Sequence, residues 1–126
     1  MVTAVIGAKT YAVSLEGGGH RLMADEPVAM GGDNQGPTPE SFVKMALASC
    51  TAITLRMYAQ RKGWALRGVM VQVDTIKEGN RTIFNRHVQV EGDLAEDQRE
   101  RLLQIARSCP VHKLLTQPID IQTTLS

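Results

Sequence analysis

One unbroken stretch limits what this chain can fold into. Thr38 to Gly63 reads TPESFVKMALASCTAITLRMYAQRKG. Thr38 is an N-cap residue type, and Pro39 falls at the first helical position, where its missing N–H costs nothing. Gly63 supplies the left-handed conformation that ends a helix. The residues between span roughly 36 Å at about 1.5 Å each. From Phe42 to Ala59 apolar and small residues run nearly all round, including Val43, Met45, Leu47, Cys50, Ile53, Leu55 and Met57. A helix apolar on every face is expected to be buried. Lys44 and Arg56 interrupt the apolar run, which is too short for a membrane span.

A chain of 126 residues is expected to form one domain, 1–126, and to bury roughly two-thirds of its unfolded surface. So long and apolar a helix calls for a partner subunit to cover it. Fourteen basic and 13 acidic residues leave a net charge of +1, which gives no electrostatic reason to expect nucleic acid or an anionic membrane as partner. The start, MVTAVIG, lacks the basic flank of a signal peptide. The cytoplasm is the expected compartment, where thiols are held reduced.

Around the helix the pattern is mostly strand. Tyr11, Val13 and Leu15 alternate, Glu16-Gly17-Gly18-Gly19 offers a turn, and His20 to Ala24 alternates again. Asp25 to Pro37 is a loop by its Gly, Pro and Asn content. Its GGDNQG run lacks the Lys-Ser/Thr of a phosphate loop. After Gly63, Val69, Val71, Val73 and Thr75 share one face of a strand. Glu78-Gly79-Asn80-Arg81 turns the chain, and Phe84, Val88 and Val90 share a face of the returning strand. Asp93 and Glu96 resemble a capping box before a second helix whose apolar stripe includes Leu102, Leu103, Ile105 and Ala106. Cys109-Pro110 starts a short helical turn. Ile119, Ile121, Thr123 and Leu125 alternate as a closing strand. Strands, long helix, hairpin, helix and strand make an α+β class.

Two cysteines, Cys50 and Cys109, stand 59 residues apart. The plain reading is that both are small core residues. Cys109 offers more, because unpaired N–H groups at a helix start favour thiolate, and thiolate is the nucleophile. Cys50, in mid-helix, needs a cation from elsewhere to react. Arg21 is the first candidate, and Arg56, on another helix face, a weaker one. Zinc is an alternative, with Cys109 and His112 at C-x-x-H spacing and Cys50, His20 and His87 as further ligands, but no second paired motif accompanies it.

Three segments resemble the OsmC/Ohr family of osmotically inducible and organic hydroperoxide resistance proteins. GPTPESFVKMALASCTA is similar to the family's first cysteine helix, ARSCPVHKLL to its second cysteine motif, and IDIQTTL to its last strand. The likeness covers most of residues 20–126. It implies an intertwined homodimer, with antiparallel sheets from both chains wrapped around two long central helices. It also implies a thiol-dependent peroxidase that needs no cofactor or metal. Cys50 would be peroxidatic and Cys109 resolving, with Glu40 the partner of an activating arginine. Arg21 is the best match for that arginine, and its GGGHR context is closer to the OsmC-like branch than to the hydroperoxide resistance branch.

On this reading Cys50 reduces a peroxide and becomes a sulfenic acid, Cys109 condenses with it, and a dithiol reduces the disulfide. Phe42, Met45, Leu47 and Ile53 favour organic hydroperoxides as substrates. The alternatives are a dimeric protein of the same fold that binds a small apolar ligand, its thiols inert, and a structural core with no ligand.

Overall fold

The alternation in the sequence becomes two antiparallel sheets. A computed structural model describes every residue from Met1 to Ser126. β1 (Val2–Ile6), β2 (Val13–Gly17) and β3 (His20–Ala24) form the first sheet in that order. Gly17 pairs with His20, so Gly18-Gly19 is a two-residue turn. Both glycines have positive φ, 57° and 81°, the type I′ geometry that suits the twist of paired strands. These strands belong to a unit running from Met1 to Val43; a second runs from Lys44 to Ser126.

In the first unit the loop after β3 is held by a carboxylate. Asp25 is buried and accepts hydrogen bonds from the backbone N–H groups of Glu26 at 2.7 Å, Asp33 at 3.3 Å and Gln35 at 3.1 Å. Burial pushes its pKa up, but the three backbone donors more than offset this and hold the carboxyl below its usual value. A short 3-10 turn, Val28–Met30, lies within this loop.

The long helix, α1, runs Pro39–Lys62. Thr38 caps it, its hydroxyl accepting from the Ser41 N–H at 3.2 Å. Gly63 ends it with φ 69°. The Trp64 N–H reaches back to the Ala59 carbonyl at 2.9 Å and the Gly63 N–H to Gln60 at 3.2 Å, which is a Schellman ending. Both ends therefore fall where local side-chain chemistry puts them.

β4 (Ala65–Glu78) and β5 (Arg81–Asp93) form the hairpin of the second unit. Val69 faces Val90 and Val71 faces Val88 across the ladder. α2 spans Glu96–Ala106 and α3 spans Pro110–Leu115. The core joins Leu55 and Ala59 of α1, Leu66 of β4, and Leu102 and Ala106 of α2. Burying a leucine completely contributes about 1.5–3 kcal/mol, and Leu55 and Leu102 are the largest side chains so enclosed.

Three expectations change. Within one chain α1 buries a single stripe, Leu47, Thr51, Leu55 and Ala59, while Met45, Ile53 and Met57 are 48%, 59% and 63% exposed. The four-residue spacing puts one face on the hairpin and α2, and nothing in this unit covers the opposite face. Second, α2 starts later than Asp93 suggests. Asp93 still pairs with Ala65 in the ladder, Ala95 takes the cap position, and Gln98 reaches back to its N–H at 2.9 Å. Third, residues 117–126 form no strand. Their alternation suits one, but a strand exists only when another supplies its ladder.

Candidate functional site

The α1 stripe that packs inward carries Thr51, and the residue before it is Cys50. The Cys109 backbone is extended just before α3, where Cys109 is the N-cap. Its Sγ accepts from the His112 N–H at 3.2 Å, using one of the donors a helix start leaves free. Cys109 is completely buried, and Cys50 is half-buried. Thr51 Oγ1 lies 3.8 Å from Cys109 Sγ, which brings the adjacent Cys50 beside it, and the Cys50 S–H is among the groups acting on the Cys109 sulfur.

Arg86 completes the cluster. It lies on β5 opposite Val73, on the same face as Phe84, Val88 and Val90. One guanidinium nitrogen donates to Thr51 Oγ1 at 3.1 Å. The other lies 3.0 Å from His112 Nδ1. Arginine only donates, so Nδ1 accepts, and His112 is neutral with its proton on Nε2. Thr51 has one hydroxyl proton, placed between the Leu47 carbonyl at 2.7 Å and Cys109 Sγ at 3.8 Å.

Burial pushes the Cys109 thiol up. The His112 N–H, the Cys50 thiol, the Thr51 hydroxyl and the Arg86 charge together outweigh it, and the pKa lies below the usual thiol value. His112 is also lowered, first by burial and then by the charges of Arg86 and Arg107. Neutral imidazole and thiolate are thus favoured together.

Beside the cluster is a cavity of about 330 Å³, lined by Leu47, Thr82, Phe84, Arg86, His112, Leu115 and Thr116. That is the small end of the range for ligand pockets. Neither sulfur lines it, but Arg86 and His112 belong to both. A larger hollow runs along Gln72–Asp74 and Asn85–His87 and has no thiol in its wall.

Of the residues singled out from sequence, the structure brings Cys50 and Cys109 together. Arg21 and Glu40 belong to the first unit. Arg21 pairs with Glu16 at 3.2 Å, directly across the β2–β3 ladder, and its side chain is 73% exposed. Glu40 is exposed in the first turn of α1, where a carboxylate suits the helix dipole. Arg56 is engaged elsewhere. It donates to the Leu66 and Arg67 carbonyls at the β4 bulge. No set of three or more His, Cys, Asp or Glu side chains converges anywhere, and a guanidinium at the heart of the cysteine cluster disfavours a metal cation.

Arg86 is the residue that reading the sequence missed. The signal was its parity. Phe84, Val88 and Val90 define the inward face of β5, and Arg86 is the one charged side chain at that spacing.

The hairpin, α1 and α3 thus place two thiols distant in sequence beside one guanidinium. The family model described as "OsmC-like protein" matches residues 32–124, and the chain belongs to that family. No curated protein gave a significant match. Among solved structures, an OsmC-like protein of Mycoplasma pneumoniae is similar with a TM-score of 0.78 and 18% identity, over 91% of this chain and 85% of that one. An organic hydroperoxide resistance protein of Legionella pneumophila gives a TM-score of 0.65 and 20% identity, over 92% and 88%. The organic hydroperoxide resistance protein OhrB of Bacillus subtilis gives 0.63 and 21%, over 95% and 92%. These likenesses establish the α+β OsmC-like fold. No helix is long and apolar enough to cross a membrane.

Proposed function

We propose that this protein is a thiol-dependent peroxidase that reduces organic hydroperoxides through Cys50 and Cys109. The observation that carries the reading is the meeting of the two thiols, 59 residues apart in sequence, in a cluster that lowers the Cys109 pKa. Family membership supports it, as do structural neighbours named for organic hydroperoxide resistance. Cys50, the more accessible sulfur, attacks the outer peroxide oxygen as thiolate. The O–O bond breaks, the alkoxide takes a proton and leaves as alcohol, and Cys50 becomes a sulfenic acid. Cys109 thiolate attacks that sulfur and expels hydroxide, which leaves as water. A dithiol from outside then reduces the disulfide by two exchange steps and is itself oxidised.

Leu47, Phe84 and Leu115 in the cavity wall favour an organic substituent over hydrogen peroxide. We assign the cation for Cys50 to Arg21, with Glu40 as its carboxylate partner. The exposed Arg21–Glu16 pair is worth about 0–1 kcal/mol, so it offers little resistance to a new partner. The uncovered face of α1 favours a homodimer, and both units are taken as one OsmC-like domain, 1–126, with the cytoplasm as its compartment.

One equivalent of a bulky alkyl hydroperoxide, followed by intact mass and peptide mapping, tests the proposal. The expected result is loss of two hydrogens, with Cys50 and Cys109 linked. Cys50→Ser is expected to abolish hydroperoxide consumption, and Cys109→Ser to stop at the Cys50 sulfenic acid. Two free thiols after exposure would reject the peroxidase and favour a dimeric protein binding a small apolar ligand.

A further inference from the structure

The anion-stabilising groups of this site converge on the wrong sulfur for a first attack on peroxide. Cys109 is completely enclosed, so a bulky hydroperoxide cannot reach it. Yet it is Cys109 that receives the His112 N–H, faces the Thr51 hydroxyl and lies within the field of Arg86. Such an arrangement suits a nucleophile whose target is delivered by its neighbour on α1.

We propose that Arg86, clamped between Thr51 and His112, is a positioning residue that keeps Cys109 ionised for attack on oxidised Cys50. The inference rests on the cysteine cycle given above and assigns its second half to this cluster. Arg86 is anchored at both nitrogens, to Thr51 Oγ1 and to His112 Nδ1, so its charge is fixed in place. The clamp requires a neutral His112. A protonated ring would set two cations face to face, and Nδ1 would no longer accept. The groups facing Cys109 are Cys50 and Thr51 from α1, Arg86 from β5 and His112 from its own helix, with Arg107 acting on His112. None is acidic apart from the thiols, so no carboxylate competes for the guanidinium. The step balances without a further reactant: Cys109 thiolate supplies the electron pair for the S–S bond, and the Cys50 sulfenic oxygen leaves as hydroxide.

A thiol of ordinary pKa is only ~3% ionised at neutral pH, so full ionisation raises the nucleophile concentration at most about 30-fold. Removing the Arg86 charge is therefore expected to slow disulfide closure about tenfold at neutral pH, with the deficit shrinking in alkali.

The test uses two measurements. In Cys50→Ser protein, where Cys109 is the remaining thiol, the ultraviolet absorbance of the thiolate is titrated with and without Arg86→Gln. The titration is expected to move upward in Arg86→Gln and to be partly restored in Arg86→Lys, which keeps charge but not the two-point clamp. In protein with both cysteines, one equivalent of hydroperoxide is added and sulfenic acid is trapped with dimedone. Arg86→Gln is expected to raise the trapped fraction on Cys50. An unchanged titration overturns the role of Arg86, whatever the peroxidase outcome. A shifted titration with no sulfenic acid or disulfide in wild-type protein rejects the peroxidase cycle, and with it the assignment of Arg86 to closure. The two failures are thus distinguishable.

Discussion

Two side chains at the site prefer their less protonated forms, and this ties the stability of the fold to pH. Burial disfavours the charged His112 ring, and Arg86 and Arg107 add repulsion, so the folded pKa lies below the unfolded one. Cys109 is likewise lowered, its donors outweighing burial. As pH falls, the unfolded chain takes up these protons first. The contribution from each group is therefore complete above its unfolded pKa and is lost as pH falls through the folded value. For the thiol the window opens just below the ordinary thiol range of ~8.5, and for the histidine just below ~6.5. Asp25, held below the usual carboxylate value by its backbone donors, titrates lower still. Urea midpoints taken from mildly alkaline to mildly acidic pH are expected to fall steadily. His112→Asn, whose amide oxygen can still accept from Arg86, is expected to lose less over the acidic half. A wild-type midpoint that does not move would show that the Arg86–His112 contact carries no net charge effect.

At the scale of elements, the hairpin owes its shape to one residue more on β4 than on β5. Leu66 pairs with Gly92 and Gly68 with Glu91, which leaves Arg67 over. Gly92 accommodates this bulge with φ 147°, and a Cβ there would stand 2.0 Å from the Ala65 carbonyl oxygen. Arg56 satisfies the displaced carbonyls of Leu66 and Arg67. Gly92→Ala is expected to cost at least about 1–3 kcal/mol, measured by urea unfolding, because both backbone conformation and space forbid it. A loss of a few tenths only would show that the bulge relaxes freely. None of this was readable beforehand, since a bulge is a property of two strands together. The ends of α1 were readable, because Thr38, Pro39 and Gly63 act on their own neighbours. So was Cys109 as a helix N-cap, with Pro110 after it. Arg86 was half-legible: its place among Phe84, Val88 and Val90 marked an inward charge, but its partners Thr51 and His112 lie 35 and 26 residues away. The start of α2 was misjudged because Asp93, a good cap residue, is still engaged by its strand partner.

For the molecule as a whole, two features of the single chain lack partners, and the proposed association with a second copy would supply both. Met45, Ile53 and Met57 share the uncovered face of α1 at four-residue spacing, with only Ser49 between the first two. Singly exposed apolar residues are ordinary, but several large ones on one helix face mark an interaction surface. Ile119, Ile121 and Leu125 are 57%, 82% and 98% exposed in a segment that alternates like a strand without pairing to one. A second copy could cover the helix stripe with its own, and a free strand edge could take up the terminal segment. Sedimentation velocity is accordingly expected to give twice the chain mass at micromolar concentration. Ile53→Glu puts a charge in the middle of the stripe without touching the buried Leu47–Ala59 face, and is expected to yield a folded monomer. Amide exchange over residues 119–125 is expected to be slow in the wild-type dimer and fast in that monomer, if the segment gains its ladder from association. A wild-type protein that sediments as one chain would leave the stripe to some other occupant and remove the dimer from the proposal. A dimer that persists in Ile53→Glu would move the contact to another face. The Cys50–Cys109 cluster lies wholly within Lys44–Ser126, so the monomer also separates two contributions. Disulfide closure, if it depends as proposed on Arg86, Thr51 and His112, should survive in it, whereas any help that Arg21 and Glu40 of a second copy give to Cys50 should be lost.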